Sequence, residues 1–221
     1  MTLYVCPTPI GNLKDVTLRV LNVLESVDAI LAEDTRKTII LLREYSIKTP
    51  LVSFHSYTSE GKLKHILKEL KEGKNFALVS EAGTPCISDP GFKLVKLCIE
   101  MEISLEVLPG PTSFIPALIL SGLPPDHFIF HGFLPRSRGK RMKIMTSYKD
   151  FEGPVIYFES PHRVKEFLEE LITSSGDKPV AIIREITKIY EEVMRGTASH
   201  LLEEIKDRDL RGEVIIVVGK G

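Results

Sequence analysis

The stretch Phe76-Ala77-Leu78-Val79-Ser80-Glu81-Ala82-Gly83-Thr84-Pro85-Cys86-Ile87-Ser88-Asp89-Pro90-Gly91 carries a short apolar run straight into a loop of turn formers and carboxylates. Four apolar residues bounded by turn signals read as a strand. Gly83 and Gly91 open backbone angles closed to other residues and let a ligand approach the main chain, while Pro85 and Pro90 stiffen the path between them. Asp89-Pro90 reads as a helix N-cap and first helical residue, so the unit is strand, loop, helix, with the helix's unpaired N–H groups facing the loop. A plain connection and a ligand-binding loop are both open; most connections are much shorter than this one.

Outward from this unit, the first half alternates β-rich runs with helical patterns, the signature of a parallel sheet with crossover helices. Strands are expected at Leu3 to Cys6, Ala29 to Ala32, Leu51 to Phe54, Phe76 to Val79 and Leu105 to Leu108. Leu18, Leu21, Val23 and Leu24 recur at helical spacing, as do Leu63, Ile66, Leu67 and Leu70. Pro109-Gly110-Pro111, a helix through Phe114 to Leu120, and Gly122-Leu123-Pro124-Pro125 mark the boundary, giving domains 1–112 and 113–221 with a linker at about 109–125. In the second half, strands are expected at Phe128 to Gly132, Val155 to Phe158, Val180 to Arg184, Tyr190 to Met194 and Val214 to Val218. Helices are expected at His162 to Ile172, with Val164, Phe167, Leu168 and Leu171 on one face, and near Leu201 to Ile205. The third and fourth of these strands lie too close for a crossover helix, so they form a hairpin and the sheet is mixed. The fold class is therefore α/β, with two α/β domains.

Composition narrows the function. The chain has 221 residues, 43% of them hydrophobic, enough for real cores. No apolar run is long enough to cross a bilayer, and Met1 to Val5 lacks the marks of a signal peptide, so a cytoplasmic protein with no membrane partner is expected. Cys6, Cys86 and Cys98 form no C-x-x-C pair and have no His at ligand spacing, which supports neither a disulfide framework nor a metal site. The net charge of −1 confines nucleic-acid contact to a local patch. One exists: between Leu134 and Lys149 lie Arg136, Arg138, Lys140, Arg141, Lys143 and Lys149, with no acid until Asp150.

Ligands of open α/β sheets bind beyond the carboxyl ends of the strands. There this chain carries Pro7-Thr8-Pro9-Ile10-Gly11-Asn12, Glu33-Asp34-Thr35-Arg36, the loop from Ser80 to Gly91, and Pro109-Gly110-Pro111-Thr112-Ser113. Four unusual loops converging on one edge point to a binding cleft. No G-x-G-x-x-G opens the first helix and no P-loop motif occurs, which disfavours dinucleotides and triphosphates. Hydroxyls, backbone groups and carboxylates, with little Lys, suit a nucleoside-like ligand bearing an amine and a ribose.

Thr8 to Leu13, Ala32 to Arg36, the loop from Ser80 to Gly91, Pro109 to Pro111, Ser121 to Leu123, Phe130 to Pro135, Tyr157 to Arg163 and Arg184 to Lys188 together resemble the bacterial family of ribosomal RNA small-subunit methyltransferase I, within the tetrapyrrole methylase superfamily. The resemblance spans the chain, with one departure: Glu81 stands where the family usually has Asp. It implies S-adenosylmethionine-dependent 2′-O-methylation of a cytidine in the decoding region of 16S rRNA, with the 30S subunit as partner. It also implies a homodimer of two-domain chains with the cofactor in the cleft between the domains. Matched residue by residue, it implies cofactor contacts at Pro9, Ala82, Gly83, Thr84, Ile87, Thr112 and Ser113, and at Phe158 and Ile186, whose other use is core packing.

A ribose hydroxyl attacks only when its proton is taken or polarised. By the resemblance Asp34 is the expected catalytic base, with Glu33 second or binding a ligand hydroxyl; capping a helix or pairing with Arg36 is Asp34's other use. Substrate contacts are expected at Arg36, Arg136, Arg138, Lys140, Arg141, His162 and Arg163, the basic segment touching phosphates rather than reading bases. A solvated loop, and for His162 a helix start, are the alternatives. Two other functions fit the same cleft: methylation of a tetrapyrrole or other small acceptor, and non-catalytic binding of a nucleotide or RNA.

Overall fold

Short apolar runs joined by crossover helices build parallel sheets, because a parallel partner is reached only by carrying the chain back along a face of the sheet. The structure, a computed structural model describing residues 1–221, splits into two units, Met1–Thr112 and Ser113–Gly221. The first contains β1 (Thr2–Val5), α1 (Leu18–Ser26), β2 (Ala29–Ala32), α2 (Thr35–Glu44), β3 (Leu51–Ser53), α3 (Glu60–Lys71), β4 (Phe76–Val79), α4 (Phe92–Glu100) and β5 (Ser104–Val107). Its strands are all parallel, in the order β3-β2-β4-β1-β5. Every residue of β2 and β4 is buried, since alternate side chains meet different helical layers. Leu31, Phe76 and Leu78 pack with α3 and α4. Ile30, Ala77 and Val79 pack with α1 and α2.

The second unit contains α5 (Phe114–Ser121), β6 (Ile129–Phe133), α6 (Arg138–Ser147), β7 (Val155–Glu159), α7 (Val164–Ser175), β8 (Pro179–Arg184), β9 (Glu192–Thr197), α8 (Ala198–Glu204) and β10 (Val214–Val218). The sheet order is β6-β7-β10-β8-β9. β6 and β7 are parallel and the other pairs antiparallel, including the expected β8–β9 hairpin, so the sheet is mixed. β10 opposes both β7 and β8, so β6, β7 and β8 point the same way and end on one edge. The helices α6, α7 and α8 cover the face carrying Tyr157, Ile182 and Ile216, and α5 packs against β8 and β10. No helix is long and apolar enough to cross a membrane.

Four local expectations change. Leu18 is 80% exposed, because α1 starts from its Thr17 cap with Val20 and Leu24 turned inward. Asp89 and Pro90 do not open α4: its N-cap is Gly91, at φ +129°, where a Cβ would lie 2.7 Å from Leu78 Cδ2. β9 begins at Glu192 rather than Tyr190, because Glu185 and Thr187 take left-handed backbone angles and carry Ile189 and Tyr190 out into solvent. Finally, the basic segment forms the helix α6, whose buried positions are Arg141 and Met145.

Candidate functional site

At the carboxyl edge of the first sheet, the loops after β1, β4 and β5 are tied together by their backbones. Thr8 N–H donates to Gly83 O and Gly83 N–H to Thr8 O, both at 2.9 Å. Buried Ser80 donates its hydroxyl to Gly83 O (3.2 Å), and Thr84 donates to Pro111 O (3.1 Å). Gly83 sits at φ +80° with Ile10 Cγ2 3.3 Å from where its Cβ would be, and a Cβ on Gly110 would come within 2.8 Å of Pro7. Small residues are thus required where the loops approach each other. The structure brings Pro9, Ala82, Gly83, Thr84 and Ile87 onto this edge, with Ala82 and Ile87 exposed. Thr112 ends the first unit; Ser113 opens the second as the N-cap of α5, and its hydroxyl makes no capping bond.

Carboxylates occupy the neighbouring part of the same edge, after β2 and β4. Asp34 caps α2: its Oδ1 accepts from Arg36 N (2.9 Å) and Arg36 Nε (3.0 Å), and its Oδ2 accepts from Arg36 Nη2 (2.8 Å). These hydrogen bonds hold its carboxyl down at about 2. That is the geometry of a cap and ion pair, the other use the sequence left open for Asp34; Arg36 makes this pair from an exposed position. Glu33 differs. Its carboxyl is pushed up by burial and by Glu81, against the pull of Lys37 and His55. Burial, then Glu33 and Glu81, push Asp89 up to about 6, and Asp89 lines a cavity of about 220 Å³ with Phe54, His55, Thr58 and Phe92. Glu81 is ion-paired with Lys37 in the first turn of α2. Sequence reasoning read Asp89 only as a cap; the signal was its place in a loop dense with carboxylates.

On the edge where β6, β7 and β8 end, the Phe130 to Pro135, Tyr157 to Arg163 and Arg184 to Lys188 motifs come together. Arg141 does not face solvent as expected for an RNA contact. It is 3% exposed and donates to Glu170 through Nε (2.7 Å) and Nη2 (2.5 Å), to Glu166 (2.5 Å) and to Arg136 O (2.6 Å). A helical face buried against α7 needs its one cation neutralised, and Glu170 does so. Arg136, Arg138, Lys140 and Lys143 remain exposed, Arg138 lying 3.6 Å from Glu170. Sequence reasoning left Lys143 out of the contact set, although it stands one turn beyond Lys140. His162 is exposed, and Arg163 pairs with buried Glu159 at 3.2 Å, its own Nε buried without a partner. Phe158 is half-buried among aromatic rings, and Ile186 is buried inside the β8–β9 connection.

The profile of the Tetrapyrrole (Corrin/Porphyrin) Methylases matches residues 2–202. A Thermotoga maritima protein named ribosomal RNA small subunit methyltransferase I is 44% identical over 216 residues, covering 98% of this chain and 97% of that protein. A Bacillus subtilis protein of the same name is 45% identical over 98% of this chain and 74% of its own length. Among solved structures, diphthine synthase superposes with a TM-score of 0.78 at 16% identity (99% of this chain, 90% of that one). A cobalt precorrin-4 methyltransferase does so with 0.75 at 20% (99% and 94%). Uroporphyrin-III C-methyltransferase from Thermus thermophilus, solved with S-adenosylhomocysteine, reaches 0.68 at 16% (99% and 97%). At these identities the structures are similar in fold.

Proposed function

The chain belongs to the tetrapyrrole methylases and, within them, to the ribosomal RNA small subunit methyltransferase I family, and on that premise we propose that it methylates the ribose 2′-hydroxyl of a cytidine in the decoding region of 16S rRNA, using S-adenosylmethionine. The observation that supports this best is the pairing, on one sheet edge, of backbone-knitted loops lacking Lys with a carboxylate of raised pKa. The loops fit the cofactor: glycines where a Cβ would collide, exposed apolar groups at Ala82 and Ile87, and nearby acids to offset a positive ligand. Pro9, Ala82, Gly83, Thr84, Ile87 and Thr112 would hold it. Bound there, it supplies an electrophilic methyl group on a sulfonium.

The protein's part is alignment and proton removal. Knitted loops fix the cofactor's position without reorganisation, and alignment for in-line displacement supplies much of the rate. We assign the proton to Glu33 rather than Asp34, since both oxygens of Asp34 are engaged by Arg36 while burial raises the basicity of the Glu33 carboxylate. Asp34, with Arg36, fixes the start of α2 and so the path of the chain at Glu33. Arg136, Arg138, Lys140 and Lys143 meet RNA phosphates, while Arg141 holds α6 and the turn before it in place. The expected setting is a homodimer acting on the 30S subunit in the cytoplasm.

The test is incubation with labelled S-adenosylmethionine and unmethylated 30S subunits, followed by mass mapping. One ribose methyl on a decoding-region cytidine is expected. A methyl on a base, or transfer only to a small acceptor such as a tetrapyrrole, would overturn the reading.

A further inference from the structure

Phe133 ends β6 with 62% of its surface in solvent. In an unbroken strand Phe130 and Phe133 would point to opposite faces. Here the pairing with β7 slips: Phe130 lies opposite Ile156, Gly132 opposite Tyr157 and Phe133 opposite Phe158. Ile156 and Phe158, two residues apart, share a face, so the bulge brings Phe130 and Phe133 onto that same face. Gly132 makes it with φ +77°, an angle that a side chain resists. A row of rings results. Phe114 stacks on Phe130 (4.5 Å between centroids), Phe130 meets Phe158 edge-on (5.0 Å), and Phe158 meets Phe133 edge-on (5.4 Å). The row holds the last ring, and the last ring stands in water.

Beside it lie cations. Arg136 follows within three residues, and α6 continues with Arg138, Lys140 and Lys143, all exposed, with no acid from Leu134 to Lys149. Buried Arg141, bound to Glu170 and to Arg136 O, fixes both the helix and the turn that leads into it. A held ring next to held cations is the arrangement that grips single-stranded nucleic acid, the ring taking a base face and the cations taking phosphates. A base inside a helix has both faces covered by its stacked neighbours, so the ring selects an unpaired, unstacked one. We propose that Phe133 stacks on an unpaired base of the RNA substrate, next to the phosphates held by α6. This rests on the RNA reading above.

The experiment measures binding of an unmethylated decoding-region 16S rRNA fragment, and separately of S-adenosylhomocysteine, by the full chain. Phe133→Ala is expected to weaken RNA binding about tenfold, and Phe133→Trp to restore it. Both variants should bind S-adenosylhomocysteine as the wild type does. In Phe133→Ala the slope of log affinity against log salt should be unchanged, because stacking releases no counterions. Wild-type RNA affinity in Phe133→Ala overturns the proposal. So does weakened S-adenosylhomocysteine binding with RNA affinity intact, which would make the ring a cofactor contact. If the wild-type chain neither binds nor methylates the fragment or the 30S subunit, the RNA reading itself falls and takes this inference with it.

Discussion

Asp89 titrates far from its ordinary range, and the sign of its effect is checkable. Its carboxyl is raised from 3.8 to about 6 in the folded chain, first by burial and then by Glu33 and Glu81. The folded state therefore keeps this proton to higher pH than the unfolded chain, and stability is lost as pH rises from about 4 to 6. Asp89→Asn should raise the midpoint of urea unfolding at pH 8 and leave it nearly unchanged at pH 3.5; an equal change at both would assign the effect to packing. Arg141 is the opposite case, a charge whose removal is costly. Arg141→Met leaves Glu170, 2% exposed, without its main partner, and a loss on the order of 3–5 kcal/mol is expected. The double variant Arg141→Met with Glu170→Met should recover most of it in the same urea titration, whereas additive losses would show that the pair is not coupled. Neither residue's role could be read from the sequence, because each depends on a distant partner: Glu33 lies 56 positions from Asp89, and Glu170 lies 29 positions from Arg141.

The elements were far more legible, for a local reason: apolar runs and their turn signals lie within a few residues of each other. Ala29–Ala32, Phe76–Val79 and Val214–Val218 fall where the pattern puts them. The helix α6 was hidden because a cation, Arg141, fills the buried position four residues before Met145, where the period calls for an apolar residue. Once folded, the helix buries Arg141 against Glu170 and turns Lys140 and Lys143 outward to water, with Arg136 exposed just before it. The exposed cations carry a prediction. Replacing Arg136, Lys140 and Lys143 by Gln should reduce the slope of log RNA affinity against log salt by about 2, the value for three phosphate contacts on a single strand. An unchanged slope, with or without weaker binding, would mean that these side chains do not meet phosphate.

Across the whole molecule, each core draws on one unit alone. Residues between 3 and 108 build the layers around the first sheet, and residues between 134 and 218 the main layer of the second. The carboxyl edges also differ in chemistry. The first offers backbone groups, hydroxyls and carboxylates, suited to a compact positive cofactor; the second offers Arg, Lys and aromatic rings, suited to a polyanion. A net charge of −1 conceals both, since a sum over the chain cancels what the two edges keep apart. The order of the motifs was legible at this scale, while the division of labour among the acids was not, because Glu33, Glu81 and Asp89 meet only when the strands are side by side. If the first edge is the cofactor seat, S-adenosylhomocysteine at a hundred times its dissociation constant should stabilise the fold by about 2.7 kcal/mol. Hydrogen exchange then locates the effect: amides in residues 7–12, 80–91 and 108–112 should slow. Slowing that spares these loops and appears only at 134–138 and 159–163 would move the cofactor to the other edge and remove Glu33 from the reaction.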